Sequence, residues 1–196
     1  TGTGKTLAYL LPLLAKIQVD SLHLQVVIMA SSHELVMQIH QEIIKWSAGS
    51  GIRSASFIGG ANIKRQLEKL KKKPHIAVGT PGKILELVSQ KKMKMHEVKT
   101  IVLDEGDTLI VPEHFNTVST IIKRTMKDRQ LLLFSAKVTN NISEEMAIKI
   151  VSDNINELNE DLVLGNEEYF DIKFSEIVVL DNETFAKRLR TIVEFN

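Results

Sequence analysis

Short, almost wholly apolar runs alternate with amphipathic stretches along this chain, and that alternation leaves few folds open. Candidate strands are Leu24–Ala30 (LQVVIMA), Arg53–Gly59 (RSASFIG), His75–Thr80 (HIAVGT), Thr100–Glu105 (TIVLDE) and Gln130–Ala136 (QLLLFSA). Several lack the apolar–polar alternation of a strand with one wet face, so both of their faces must be covered. Helical periodicity fills the gaps, over roughly 5–19, 33–47, 63–72, 82–89, 115–127 and 141–151. Strand–helix–strand repetition of this kind predicts an α/β fold, a doubly wound and mainly parallel sheet with helices on both faces. Ligands of such sheets bind at the carboxyl ends of the strands. Residues that carry chemistry are therefore expected just after each strand.

At 196 residues the chain has room for one such domain and the start of another. After Val151 the pattern changes: SDNINELNEDLVLGNEEYFD is acidic and aperiodic, as a linker would be, and FSEIVVLDNETFAKRLRTIVEF then offers one more strand and helix. Basic residues crowd IKRQLEKLKKKPH and SQKKMKMHEVK, although the net formal charge is only +1. That asymmetry suits either a basic face for nucleic acid or ordinary solvated helix surfaces. The absence of cysteine excludes disulfides and thiolate metal sites, and fits a reducing compartment such as the cytoplasm. No apolar run is long enough to span a membrane, so no membrane partner is expected.

The chain opens on TGTGKT. A glycine-rich turn entering a helix points backbone N–H groups at phosphate oxygens. There Lys5 would reach the outer phosphates and the Thr6 hydroxyl would ligate Mg²⁺. A plain surface turn of Gly and Thr is the competing reading of so short a motif. IVLDEGD bears on that choice, because Asp104 and Glu105 end a buried strand, where ionised carboxylates are costly without a purpose. A Walker B strand needs this arrangement, with Asp104 holding Mg²⁺ through water and Glu105 orienting and deprotonating the attacking water.

TGTGKT, SSHELVMQ, GG, TPGK, DEGD and SAK follow one another in that order, all but the first near the end of a candidate strand. The series resembles the first RecA-like domain of the DEAD-box RNA helicases, whose usual forms are TGxGKT, PTRELA-x-Q, GG, TPGR, DEAD and SAT. The resemblance implies a RecA-like P-loop NTPase fold, ATP and Mg²⁺ as cofactors, and ATP-driven local unwinding of RNA. It assigns nucleotide contacts to Thr1, Gly2, Thr3, Gly4, Lys5 and Thr6, the metal to Thr6 and Asp104, and catalysis to Lys5, Asp104 and Glu105. RNA backbone contacts fall to Ser32, His33, Gly59, Gly60, Thr80, Pro81, Gly82 and Lys83. Asp107, Ser135 and Ala136 would couple the nucleotide site to RNA. Hydroxyls, glycine N–H groups and a helix start after Pro81 suit phosphates and read no base edge, although Thr80-Pro81-Gly82 alone also reads as a plain helix start.

The resemblance further implies that residues 1–150 form that first domain without its upstream adenine-recognition segment and first strand. Residues 151–172 would be an acidic linker and 173–196 the start of a second RecA-like domain, the intramolecular partner. A fragment so cut is expected to hydrolyse ATP negligibly. The chain departs from the family pattern at Gly106 (for Ala), Lys137 (for Thr), His33 (for Arg) and Lys83 (for Arg). Imidazole does not reproduce a bidentate guanidinium. Lys137 and His33 keep one rival in view, an RNA-binding scaffold with little catalysis; a DNA-directed helicase of the same superfamily is a second. Oligomeric state is left open.

Overall fold

A computed structural model describes residues 5–60, 62–126, 129–134 and 177–180. The expected strands form as β1 (Val26–Met29), β2 (Ser54–Phe57), β3 (Ile76–Gly79), β4 (Thr100–Asp104) and β5 (Gln130–Phe134). A further strand, β6 (Ile177–Leu180), joins them in one sheet of order β2-β3-β1-β4-β5-β6. Every pairing is parallel. The segment holding β6 was expected to open a second domain; its 4 described residues pair with β5 and extend the same sheet.

The helices are α1 (Lys5–Lys16), α2 (His33–Trp46), α3 (Ile63–Lys71), α4 (Pro81–Ser89), α5 (Gly106–Leu109) and α6 (Pro112–Lys123). Each follows from local chemistry. Ser32 caps α2 by accepting from the Leu35 N–H, and Asn62 caps α3 by accepting from the Lys64 N–H. Pro81 and Pro112 open α4 and α6, where a missing N–H costs nothing. That rule explains why α6 starts at Pro112 rather than at Phe115. The single turn α5 is too short to show a period and was not expected. The expected helix over 141–151 and the linker over 151–172 lie outside the described residues.

Residues of each strand alternate between two cores. Val27, Met29, Ile101, Leu103, Leu131 and Leu133 face Ile84 and Leu87 of α4 and Val118, Ile121 and Ile122 of α6. Val26, Ile28, Val102, Leu132 and Phe134 face Tyr9, Leu10 and Leu13 of α1 and Val36, Ile39 and Ile43 of α2. With β1, β3, β4 and β5 apolar on both sides, the sheet has no wet face. Its loops do the work instead, one set at the carboxyl ends of the strands and one at the amino ends.

The amino-end loops are tied by a buried histidine. His75 is fully buried; its Nδ1 accepts from the Arg53 N–H (3.1 Å), and its Nε2 lies 2.9 Å from the Ser21 carbonyl. The Arg53 guanidinium also donates to Ser21 O, at 2.8 Å. Burial, and then the Arg53 charge, hold the His75 pKa below its ordinary value. Below pH about 6.5 the unfolded chain therefore binds a proton that the native ring refuses, and stability falls as pH falls. His40 shifts in the same direction, again through burial first. Urea midpoints are thus expected to decline from pH 7 towards pH 5, by no more than about 1.4 kcal/mol per pH unit per histidine. A flat profile across that window would show that neither ring resists protonation.

Candidate functional site

Parallel strands bring all their carboxyl ends to one edge, and the loops leaving that edge carry the sequence-predicted residues. From β2 towards β5 the edge runs through Gly59–Gly60, Thr80–Lys83, Ser31–His33 and Asp104–Glu105. The chain leaves β1 towards β3 and β2 on one side, then returns to β4 and β5 on the other. The boundary between β1 and β4 is the switch point where such sheets hold ligands. A side-chain hydrogen bond crosses it: the Ser31 hydroxyl after β1 donates to Glu105 Oε2 after β4, at 3.0 Å.

Asp104 ends β4 with 6% of its surface exposed. Its Oδ1 accepts from the Glu105 N–H at 3.0 Å, and its Oδ2 accepts from the Tyr9 hydroxyl at 2.8 Å. Tyr9 lies on α1, one turn beyond Lys5 and Thr6, so this bond brings the start of α1 to the carboxylate. Burial, reinforced by the Asp104 charge and the bond to it, raises the Tyr9 pKa well above the usual phenol value, with a smaller opposing effect from Thr6. The phenol therefore stays protonated and keeps donating. Its ring packs against Phe134, centroids 4.9 Å apart, over the end of β5. Sequence reasoning missed Tyr9; the signal was its spacing of one helical turn from Lys5.

Glu105 adopts a left-handed backbone (φ 55°, ψ 54°), unusual for a residue with a side chain. Strain of this type concentrates where a side chain must be aimed against local preference. The following residue, Gly106, leaves no room for a β-carbon: one placed there would lie 2.0 Å from Leu133 Cδ1. Leu133 thus fills the space that the family's usual alanine would need. Gly106→Ala is expected to destabilise the protein by about 1–3 kcal/mol through overpacking, and to cost less in a Leu133→Ala background, where the obstructing methyl is gone. Urea unfolding of the single and double variants checks it.

Ser32 spends its hydroxyl capping α2, where it accepts from the Leu35 N–H at 3.1 Å. His33 is exposed, and its Nε2 would lie 3.4 Å from a β-carbon on Gly59, so these two predicted contacts are neighbours. Gly60 has φ +71°, a conformation side chains rarely adopt. Thr80 makes no side-chain capping bond, and Gly82 is exposed beside it. Pro81 is buried. Lys83 differs from expectation in one respect: its side chain is 7% exposed and pairs with Glu86 at 2.8 Å. Asp107 lies in α5. Thr1, Gly2, Thr3, Gly4, Ser135, Ala136 and Lys137 lie outside the described residues. Among the described residues no three His, Cys, Asp or Glu side chains gather into a metal cage.

The DEAD/DEAH box helicase family matches residues 1–145 of the chain. This chain belongs to that family. Among curated relatives, the probable ATP-dependent RNA helicase YfmL of Bacillus subtilis is 61% identical over 150 residues, covering 75% of this chain and 40% of that protein. The DEAD-box ATP-dependent RNA helicase CshC of Bacillus cereus is 60% identical over 139 residues, covering 71% and 36%. Among solved structures, S. cerevisiae dbp5 bound to nup159, gle1, IP6 and ADP matches with TM-score 0.70 and 29% identity, over 82% of this chain and 42% of that one. A DEAD box protein from Methanococcus jannaschii matches with TM-score 0.70 and 26% identity, over 95% and 44%. The sheet is thus the RecA-like domain of a DEAD/DEAH box helicase, and the chain spans less than half the length of each of these relatives.

Proposed function

We propose that the intact protein is an ATP-dependent RNA helicase of the DEAD-box type, in which ATP binding and hydrolysis drive backbone-directed RNA binding and local strand separation. The observation that carries this reading is the Tyr9–Asp104 bond, which sets the first turn of α1 against the acidic end of β4. Only that juxtaposition lets a triphosphate reach the phosphate loop and the carboxylates at once.

The oxygen-only donors Thr6 and Asp104 fit Mg²⁺, which is commonly held by one or two carboxylates together with substrate phosphates and water. Bound there with the nucleotide, the ion would neutralise charge on the phosphoryl group in transfer. Thr1 to Thr6 cradle the phosphates, and Lys5 balances their charge. Asp104 is held in place by Tyr9 and by the Glu105 N–H. Glu105, aimed by its backbone and by Ser31, takes the proton of the attacking water. Asp107, Ser135 and Ala136 relay nucleotide state to the RNA row formed by Ser32, His33, Gly59, Gly60, Thr80, Pro81, Gly82 and Lys83.

A second RecA-like domain in the same polypeptide completes the cleft. Domain closure around ATP and RNA, followed by hydrolysis and reopening, makes the cycle. Among the described residues no helix is long and apolar enough to cross a membrane; a cytoplasmic location is part of this proposal. The test is strand separation and ATP turnover by the intact protein with RNA or DNA duplexes. ATP-dependent separation of RNA supports the reading. Absence of RNA-stimulated turnover supports the scaffold alternative, and preference for DNA supports the DNA-directed one.

A further inference from the structure

The two lysine-rich runs do not lie at the ATP and RNA edge. Both lie at the amino ends of the strands: Lys71, which ends α3, Lys72 and Lys73 lead into β3, and Lys91, Lys92 and Lys94 lead towards β4. All six are exposed. With β1 lying between β3 and β4, the loops converge on a groove of about 130 Å³ whose lining includes Lys73, Lys92, Lys94, His23 and His96. The acidic residue lining this groove is Glu97. His23 and His96 are exposed and meet edge to face, centroids 5.7 Å apart, beside Leu22, which is 63% exposed. Lys73 and Lys91 both adopt left-handed backbones, with φ 52° and φ 58°. Glycine is favoured at such helix ends, so each loop keeps a lysine against local backbone preference.

We propose that this amino-end groove is a second RNA-docking surface, which holds the sugar–phosphate backbone of a strand flanking the one engaged at the carboxyl ends. The proposal rests on the helicase reading and adds to it a site on the opposite side of the sheet. Mobile lysine heads follow phosphates without reading sequence, and flat imidazoles and an apolar side chain accept a base or a sugar face. Strands of five residues separate the two edges by roughly 16 Å before their loops are added. A short oligonucleotide can therefore occupy one edge at a time, and a long one can occupy both.

The test uses the intact protein and a Lys73→Gln, Lys92→Gln, Lys94→Gln triple variant, all changes being at exposed positions outside the catalytic edge. Binding of a short and a long single-stranded RNA is measured against salt concentration. The wild type is expected to bind the long strand more tightly than the short one. The variant should lose about tenfold in affinity for the long strand, and its salt slope should fall by about 2, as expected for three lost phosphate contacts. Short-strand affinity and ATP turnover at saturating short RNA should be unchanged. Unchanged long-strand affinity and slope in the variant overturn the proposal and leave the groove to an acidic protein. A wild type that binds neither strand overturns the helicase reading and this one together, whereas short-strand binding without a long-strand advantage overturns this one alone.

Discussion

Glu105→Gln in the intact protein is expected to lower RNA-stimulated ATP turnover by about 10²–10⁴-fold, the range over which removal of a positioned general base acts. The substitution keeps size and leaves an oxygen to accept from Ser31, so the crossing at the switch point survives. What disappears is the ability to take a proton. ATP and RNA affinities should therefore hold while turnover collapses. Turnover within a few-fold of wild type would remove Glu105 from the role of base. A matching loss of RNA affinity would instead mean that the left-handed turn at Glu105 had been disturbed.

Tyr9→Phe should act on the neighbouring carboxylate without touching ATP. The change deletes one hydroxyl, keeps the ring against Phe134, and removes the donor from Asp104 Oδ2. Outer partners of this kind are usually worth about 10–100-fold in metal affinity or activity. The Mg²⁺ concentration needed for half-maximal turnover is expected to rise by that factor. Without nucleotide or metal, the same variant should lose roughly 1.5–3 kcal/mol of stability, the usual worth of a hydrogen bond to a charged group. Lost stability with an unchanged Mg²⁺ requirement would make Tyr9 a structural residue only.

Most of the fold was legible because it is written in local periodicity. Apolar runs gave β1 to β5, and 3.6-residue patterns gave α1 to α4 with ends within a few residues. The start of α6 at Pro112 was legible too, through the proline at its first turn, but apolar spacing pointed later. The one-turn α5 left no periodic trace. At the site, the placement of Asp104, Glu105 and Thr80 after strands was readable, but their partners were not. Lys83 was expected as an RNA-backbone contact, and nothing in TPGK reveals that Glu86, one turn on, will pair with its buried side chain. Gly106 looked like a simple departure from alanine until Leu133, on the adjacent strand, was seen to fill the gap.

By itself the sequence determined a parallel α/β sheet, its helices, and a row of phosphate-seeking and acidic residues at the strand ends. These depend on neighbours a few positions apart, within reach of periodicity and capping. Tertiary structure alone decided which strand ends lie side by side. It set Ser31 against Glu105 and Tyr9 against Asp104, and it gathered two distant lysine runs at the far end of the sheet. Strand order comes from how crossover helices pack on both faces, a competition over the whole chain that no local stretch records.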